Sequence, residues 1–200
     1  MTTKIMNKRL LIALMPLVLA IILIGIFMAL RWPFWEQSLM SDQSPAAWLS
    51  SAQLLALAFL ACRLGLDHTL EPGLSMWLTL AMAMLAFDEQ FMLHEYWKYG
   101  CPNWIAACNH SWVRELPMMC VALFGAITLT YLAWSVHDRL FRRILYASLG
   151  VGLLALFIDL FSVPVFLTPF EEALEVFSEA LFIGALLIAV PKQNAEHLTH

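Results

Sequence analysis

The sequence has few charged residues. Asp, Glu, Lys and Arg make up 13% of its 200 residues, whereas hydrophobic residues make up 62% and the mean hydropathy is +0.76. Soluble domains carry about 25% charged and about 45–50% apolar residues, so this composition excludes an ordinary soluble domain and a disordered chain. The sequence therefore predicts an integral membrane protein whose main partner is the lipid bilayer.

Basic residues and several chemical motifs are also scarce or missing. Lys and Arg number 11, and no basic run exceeds Arg142-Arg143. A nucleic-acid partner needs a concentrated positive surface, so we expect none. The sequence has no His-x-x-x-His pair, no Gly-rich phosphate loop and no Gly-x-Ser-x-Gly motif. These absences argue against a histidine-box oxygenase, a nucleotide-binding enzyme and a serine hydrolase.

Six apolar stretches are long enough to cross a bilayer, which requires about 20 helical residues each. We therefore predict an all-α polytopic membrane protein: a six-helix transmembrane bundle with short loops, forming a single domain over residues 1–200. The predicted spans are about 10–30, 45–62, 73–97, 115–136, 143–161 and 169–190. Ser44-Pro45, Glu71-Pro72 and Thr168-Pro169 indicate helix starts, because proline is favoured at the first helical position.

The distribution of basic residues predicts the orientation of these spans. With a cytoplasmic N-terminus, eight of the 11 basic residues lie on the cytoplasmic side, and only Arg31, Lys98 and Arg114 lie on the other. This distribution agrees with the positive-inside rule. We expect a bacterial inner (plasma) membrane protein with both termini in the cytoplasm.

Two cysteines lie in the predicted outer loop between the third and fourth spans. In an oxidising compartment Cys101 and Cys108 could form a disulfide that closes a short loop. The alternative is a zinc site that adds His110, but this spacing matches no standard site and a fourth ligand is missing. We favour the disulfide, and the sequence leaves open whether it forms.

Acidic residues are concentrated towards the predicted outer side, and several lie inside predicted spans. An ionisable side chain at membrane depth is costly enough to indicate a function. The candidates are Asp88, Glu89, His94 and Glu95 in the third span, Asp159 in the fifth, and Glu172, Glu175 and Glu179 in the sixth.

Helical spacing groups the third-span candidates. In a straight helix Asp88 and Glu95 would lie about 20° apart on one face. His94 could join them only at the margin of that face, or if the helix is distorted near its outer end.

The glutamates of the sixth span also share a face, because Glu172, Glu175 and Glu179 fall within an arc of about 60°. Glu171 has a structural explanation, since Thr168 and Glu171 have the spacing of a capping box. Segment 169–179 could instead be an amphipathic helix on the membrane surface. The uncharged stretch that follows is too short to cross a bilayer alone, which favours a buried position for the glutamates.

We expect these acids to converge in one pocket that opens to the outer side, where they outnumber the basic residues. Carboxylates crowded in a low dielectric either hold protons or bind a cation. We predict a divalent metal ion, Mn, Fe, Zn or Ca, because carboxylate oxygens and one imidazole suit these ions. The candidate ligands are Asp88, His94, Glu95, Asp159, Glu172, Glu175 and Glu179.

A bound metal ion could activate water for chemistry on a lipid or a small molecule, with Glu89 as the catalytic base. Two other classes stay open. Protonatable glutamates line proton and cation pathways, although the inner half of this protein offers no ionisable group to continue one. The acids could also pair with a membrane partner subunit or a second copy, in a non-catalytic subunit or assembly factor. The sequence does not decide whether the protein is an enzyme.

Overall fold

A computed structural model of the protein describes residues 2–39, 44–160 and 168–190. Of these residues 88% are helical and none lies in a strand, which confirms the all-α prediction. The helices are α1 (Thr2–Leu30), α2 (Pro45–Leu66), α3 (Pro72–Phe91), α4 (Leu93–Gly100), α5 (Ser111–Arg114), α6 (Leu116–Ser135), α7 (Arg139–Leu160) and α8 (Thr168–Ala189). Short 3-10 turns cover Trp35–Ser38, Cys101–Asn103 and Ala106–Asn109.

Four helical segments are long and apolar enough to cross a membrane: Met6–Leu30, Pro45–Leu66, Leu116–Ser135 and Arg139–Asp159. A fifth crossing results if α3 and the segment Leu93–Asn103 count as one span, although they are bent by 60° at their junction. α8 has 22 residues but carries four glutamates, and it is not among these segments. The composition is thus compatible with a membrane protein of four or five crossings, and the predicted six-helix bundle is not confirmed.

The proline-containing start signals have different outcomes. Ser44 caps α2, because its Oγ accepts a hydrogen bond from the backbone N–H of Ala47 at 3.1 Å, and Pro45 follows at the first helical position. Glu71 precedes α3 without a capping side-chain bond and instead accepts one from the Tyr131 hydroxyl at 3.2 Å. The side chain of Thr168 lies outside the described residues, so the predicted capping box is untested.

α8 is the central helix among those described, because it packs against α1, α2 and α7. Its apolar face buries residues that belong to both cores of the protein, namely Val176, Ala180, Leu181, Phe182, Ala185 and Leu186. α2 also packs against α3, whereas α6 packs mainly against α7 and exposes most of its apolar side chains. The helix with the most glutamates is therefore also one of the most enclosed.

Small residues allow the neighbours of α8 to approach closely. A Cβ added at Gly184 would collide with the backbone carbonyl of Ala13 on α1. On the α7 side, Ser178 Oγ donates to the Ser148 carbonyl at 2.9 Å, and Ser148 Oγ donates to the Ser178 carbonyl at 2.8 Å. Close backbone packing through small residues is typical of helix pairs in membranes.

An ion pair joins α1 to the start of α7 at the opposite end of the bundle from Ser44. The Arg9 guanidinium bonds to Asp138 Oδ2 and to the carbonyl of Ile188 near the end of α8. Asp138 Oδ1 accepts from the backbone N–H groups of Leu140 and Phe141, so Asp138 is the N-cap of α7. Partial burial opposes ionisation of Asp138, but the bonds from Phe141 and Arg9 outweigh it and lower its pKa.

The close contact at Gly184 predicts a large effect of one added methyl group. Gly184→Ala should lower the free energy of unfolding by about 1–3 kcal/mol, because α1 and α8 must move apart. Thermal unfolding in detergent micelles measures this loss. Gly150→Ala on α7 is the matched control, since nothing lies within 4 Å of its added Cβ, and this variant should be unchanged or slightly more stable. Equal stability of the two variants would show that α1 and α8 are not in close contact.

The lowered pKa of Asp138 predicts a dependence of stability on pH. Stabilisation by its charge is present above the unfolded pKa of about 3.9 and is lost as the pH falls through the lower folded value. Asp138→Asn keeps a capping oxygen but loses the charge, so it should be less stable than wild type near neutral pH. The unfolding temperatures of wild type and Asp138→Asn should approach each other as the pH is lowered from about 7 to about 3. A difference that stays constant over this range would contradict the ion pair.

Candidate functional site

The site is centred on the first half of α8, which carries Glu171, Glu172, Glu175 and Glu179. From α2, the hydroxyl of Ser50 donates a hydrogen bond to Glu179 Oε1 at 2.8 Å. The second oxygen of this carboxyl group, Oε2, is buried and has no hydrogen-bond partner among the described residues. Neither Glu175 nor Glu179 forms an ion pair within this part of the chain.

A second acidic group approaches α8 from α3. The charge of Glu89 acts on both Glu175 and Glu179, and the charge of Glu172 does so as well. No basic residue is among the charges that act on these two glutamates. Glu89 is itself half-buried. Glu89 and Glu172 therefore both interact electrostatically with Glu175 and Glu179, and we call these four residues the inner carboxylate cluster.

The helix that carries Glu89 ends abruptly beside the cluster. Met92 has φ 52° and ψ 42°, a left-handed conformation, and it separates α3 from α4. Asp88 stabilises the new helix start, because its Oδ1 accepts from the backbone N–H of His94 at 3.0 Å. Its Oδ2 lies 2.9 Å from Nδ1 of the His94 ring. Both oxygens of Asp88 are thus occupied by His94.

This break changes the predicted grouping of the third-span residues. The expected shared face of Asp88 and Glu95 assumes a straight helix, and the bend at Met92 removes that assumption. His94, expected only at the margin of the site, is instead in direct contact with Asp88, as the alternative of a distorted helix allowed. Glu95 lies on α4, where its charge acts on His94 and on Glu171.

A second group of charges lies at the outer end of the site. Lys98 Nζ on α4 is 3.2 Å from Glu115 Oε1 and 3.3 Å from Asp159 Oδ1 on α7. Glu171 interacts with the charges of Asp159, Lys98 and Glu95. We call Lys98, Glu115, Asp159 and Glu171 the outer charge cluster. Asp159, a predicted metal ligand, is therefore paired with a lysine.

Sequence reasoning missed several members of this arrangement. It counted Lys98 only as one of three outer basic residues, placed Glu115 at the first residue of the fourth predicted span and outside the candidate site, and explained Glu171 as a helix cap. It considered Ser50 only as a polar group on a possible path. The signal for Lys98 was present, since a lysine next to an acid-rich segment is a natural partner, but its partners Glu115 and Asp159 are distant in sequence.

The loop after α4 contains a disulfide between Cys101 and Cys108, and both cysteines are buried. This bond agrees with the favoured sequence interpretation. It removes the alternative zinc site with His110, because bonded sulfurs no longer provide thiolate ligands.

The predicted metal ligands are not assembled into a coordination sphere. Within residues 2–39, 44–160 and 168–190, no three His, Cys, Asp or Glu side chains are placed so that they could hold a metal ion. Comparisons of the chain with models of known protein families, with characterised proteins and with solved structures find no match.

The outer charge cluster predicts that Lys98 is important for stability. Lys98→Met should lower the free energy of unfolding by about 1–3 kcal/mol, because Glu115 and Asp159 then lie close together with no cation between them. Adding Asp159→Asn should restore part of the loss. Thermal unfolding of the single and double variants in detergent tests both statements.

The control for this prediction is Lys8→Met, since Lys8 is exposed and forms no ion pair in the described part of the chain. It should unfold like the wild type. If the stability loss of the double variant equals the sum of the losses in Lys98→Met and in Asp159→Asn, the pairing is ruled out.

Proposed function

We propose that the chain is an integral protein of a bacterial inner membrane, with six spans and both termini in the cytoplasm. The four or five helices of suitable length and composition support this topology, and the excess of basic residues on the proposed cytoplasmic side sets the orientation. α8 would be a further span whose glutamates are shielded from lipid by α1, α2 and α7. The Cys101–Cys108 disulfide would then lie on the oxidising side, where such bonds persist.

We further propose that the inner carboxylate cluster takes up and releases protons at the outer side of this membrane. The observation that carries the proposal is the environment of Glu175 and Glu179. Both are surrounded by other carboxylates, neither forms an ion pair among the described residues, and one oxygen of Glu179 is buried without a partner. A carboxylate in such surroundings must be neutralised by a proton or a cation.

The packing beyond Glu179 favours exchange with one side only. Phe182, Ala185 and Leu186 follow on α8 and belong to one apolar core with Leu57 and Leu64 of α2. None of these side chains can carry a proton or coordinate an ion. The site is therefore proposed to open outwards rather than to form a continuous path across the membrane.

Divalent metal binding is the second candidate. The charge of Glu89 on α3 acts on Glu175 and Glu179 of α8 and no basic residue is among the charges that do, and oxygen-rich sets of this kind suit Mn, Fe, Zn or Ca. In that case Glu89 would be the candidate base for chemistry on a lipid or small molecule. We place it second because a metal ion would require the described ligands to move before three of them could bind it.

Proton binding is tested by replacing the two central glutamates. The purified double variant Glu175→Gln/Glu179→Gln should bind fewer protons than wild type in a titration from about pH 9 to about pH 5, a range above the ordinary glutamate pKa. Potentiometric titration in detergent measures this difference. In liposomes the missing protons should be those exchanged with the outer face. Glu36→Gln is the control, because Glu36 is exposed in the turn Trp35–Ser38.

Elemental analysis of the same samples separates the two candidates. Proton binding predicts that neither sample contains a stoichiometric metal, even after supply of Mn²⁺, Fe²⁺, Zn²⁺ and Ca²⁺. A stoichiometric metal in wild type that is absent from the double variant would overturn proton binding in favour of the metal site. Identical proton titrations of wild type and double variant, with no metal in either, would overturn both.

A further inference from the structure

Two buried oxygen atoms on neighbouring helices lack a hydrogen-bond donor. One is Glu179 Oε2 on α8, and the other is the amide oxygen Oε1 of Gln53 on α2. Gln53 is only 8% exposed, and its oxygen has no partner among the residues that the structure describes. Leaving a buried polar atom unpaired is costly, so each of these two oxygens is expected to have a hydrogen-bond partner in the functional state.

Ser50 places the two atoms in the same region. Ser50 and Gln53 are three residues apart on α2, so their side chains are neighbours on one helix face, with Cβ atoms about 5–6 Å apart. Ser50 donates to Glu179 Oε1 at 2.8 Å, which puts this face of α2 against the carboxyl group. α2 and α8 pack directly against each other. A glutamine side chain is long enough to span one turn towards the same carboxyl group.

Other polar groups near this level are already engaged. Ser51 Oγ donates to the Ala86 carbonyl and Thr79 Oγ1 to the Ser75 carbonyl. Ser148 and Ser178 bond to each other's backbone across α7 and α8. Of the hydroxyl and amide side chains named here, Gln53 is the one with a buried oxygen atom that forms no hydrogen bond within the described residues.

The two unpaired atoms are complementary once Glu179 carries a proton. A carboxylic acid accepts hydrogen bonds mainly at its carbonyl oxygen and donates one from its hydroxyl oxygen. Ser50 occupies Oε1, so the proton belongs on Oε2, which then needs an acceptor. The charges of Glu89 on α3 and Glu172 on α8 act on Glu179, and Glu179 in turn acts on Glu175, so the charged neighbours of Glu179 named here are all acidic.

We propose that Gln53 Oε1 accepts the hydrogen bond of the proton carried by Glu179 Oε2, directly or through one buried water molecule. Gln53 is then a positioning residue that holds the acid form of Glu179 and ends the proton-binding site towards the membrane interior. This assignment rests on the proposed function, since it requires a protonated Glu179. The site then includes residues of three helices, because Ser50 and Gln53 of α2 join the acids of α3 and α8.

The carbonyl stretching band of Glu179 tests this assignment. Infrared spectra of the full-length protein at neutral pH should contain a carboxylic acid band that Glu179→Gln removes. In Gln53→Met, which keeps the length of the side chain but not the amide, this band should move to higher wavenumber because the acid loses a hydrogen bond. Gln90→Met is the matched control, since Gln90 is exposed on α3, and its band should not move.

The possible outcomes separate this inference from the proposed function. A Glu179 band that stays in place in Gln53→Met overturns the role of Gln53 and leaves proton binding by Glu179 intact. The absence of any band that Glu179→Gln removes overturns proton binding at Glu179 and the assignment together. If Gln53→Met does not fold, Gln53→Asn keeps the amide and gives the same test, because the shorter side chain should move the band in the same direction.

Discussion

Placing carboxylates at the centre of an apolar helix bundle is the constraint on which the rest of the structure depends. Four glutamates occupy the first half of α8, and α8 is packed against three other helices. Removing an ionised carboxylate from water without a partner costs far more than most single interactions return. Two interactions reduce this cost. The hydroxyl of Ser50 donates a hydrogen bond to Glu179, and Lys98 forms ion pairs with Glu115 and Asp159 in the outer charge cluster.

The two charge clusters differ in whether a basic residue pairs with their carboxylates. The outer charge cluster contains one cation, Lys98, which pairs with Glu115 and Asp159, so these two acids have a structural explanation. For Glu175 and Glu179 in the inner carboxylate cluster, no ion pair forms within the described residues, and the proposed function assigns their neutralisation to a proton. Asp88 belongs to neither cluster. Its two oxygens bond to His94 and stabilise the start of α4 after the break at Met92. The sequence indicated eight candidate residues. Setting aside those that pair with Lys98 or with each other leaves a smaller set centred on Glu175 and Glu179.

Much of the fold could be predicted from sequence, because local signals specify it. Long apolar stretches gave the helices, Ser44-Pro45 gave the start of α2, and helical spacing placed the α8 glutamates on one side. The break at Met92 could not be predicted, since no proline or glycine marks it and a left-handed methionine depends on the capping bonds of Asp88. The ion pairs of Lys98 and the bond between Ser50 and Glu179 join residues far apart in sequence, which periodicity cannot reveal.

The contact between Gly184 and Ala13 also bears on how the chain is assembled. α1 packs mainly against α8, with a much smaller contact to α2, and α8 follows every other described helix in the sequence. During synthesis α1 is therefore made well before its main partner. The glutamate-bearing helix must then pack against helices that are already present. Contacts of such long sequence separation are slow to form. Assembly therefore depends on a helix that is made after all the other described helices, and a chain stopped before α8 would leave α1 and α2 without the surface that joins them.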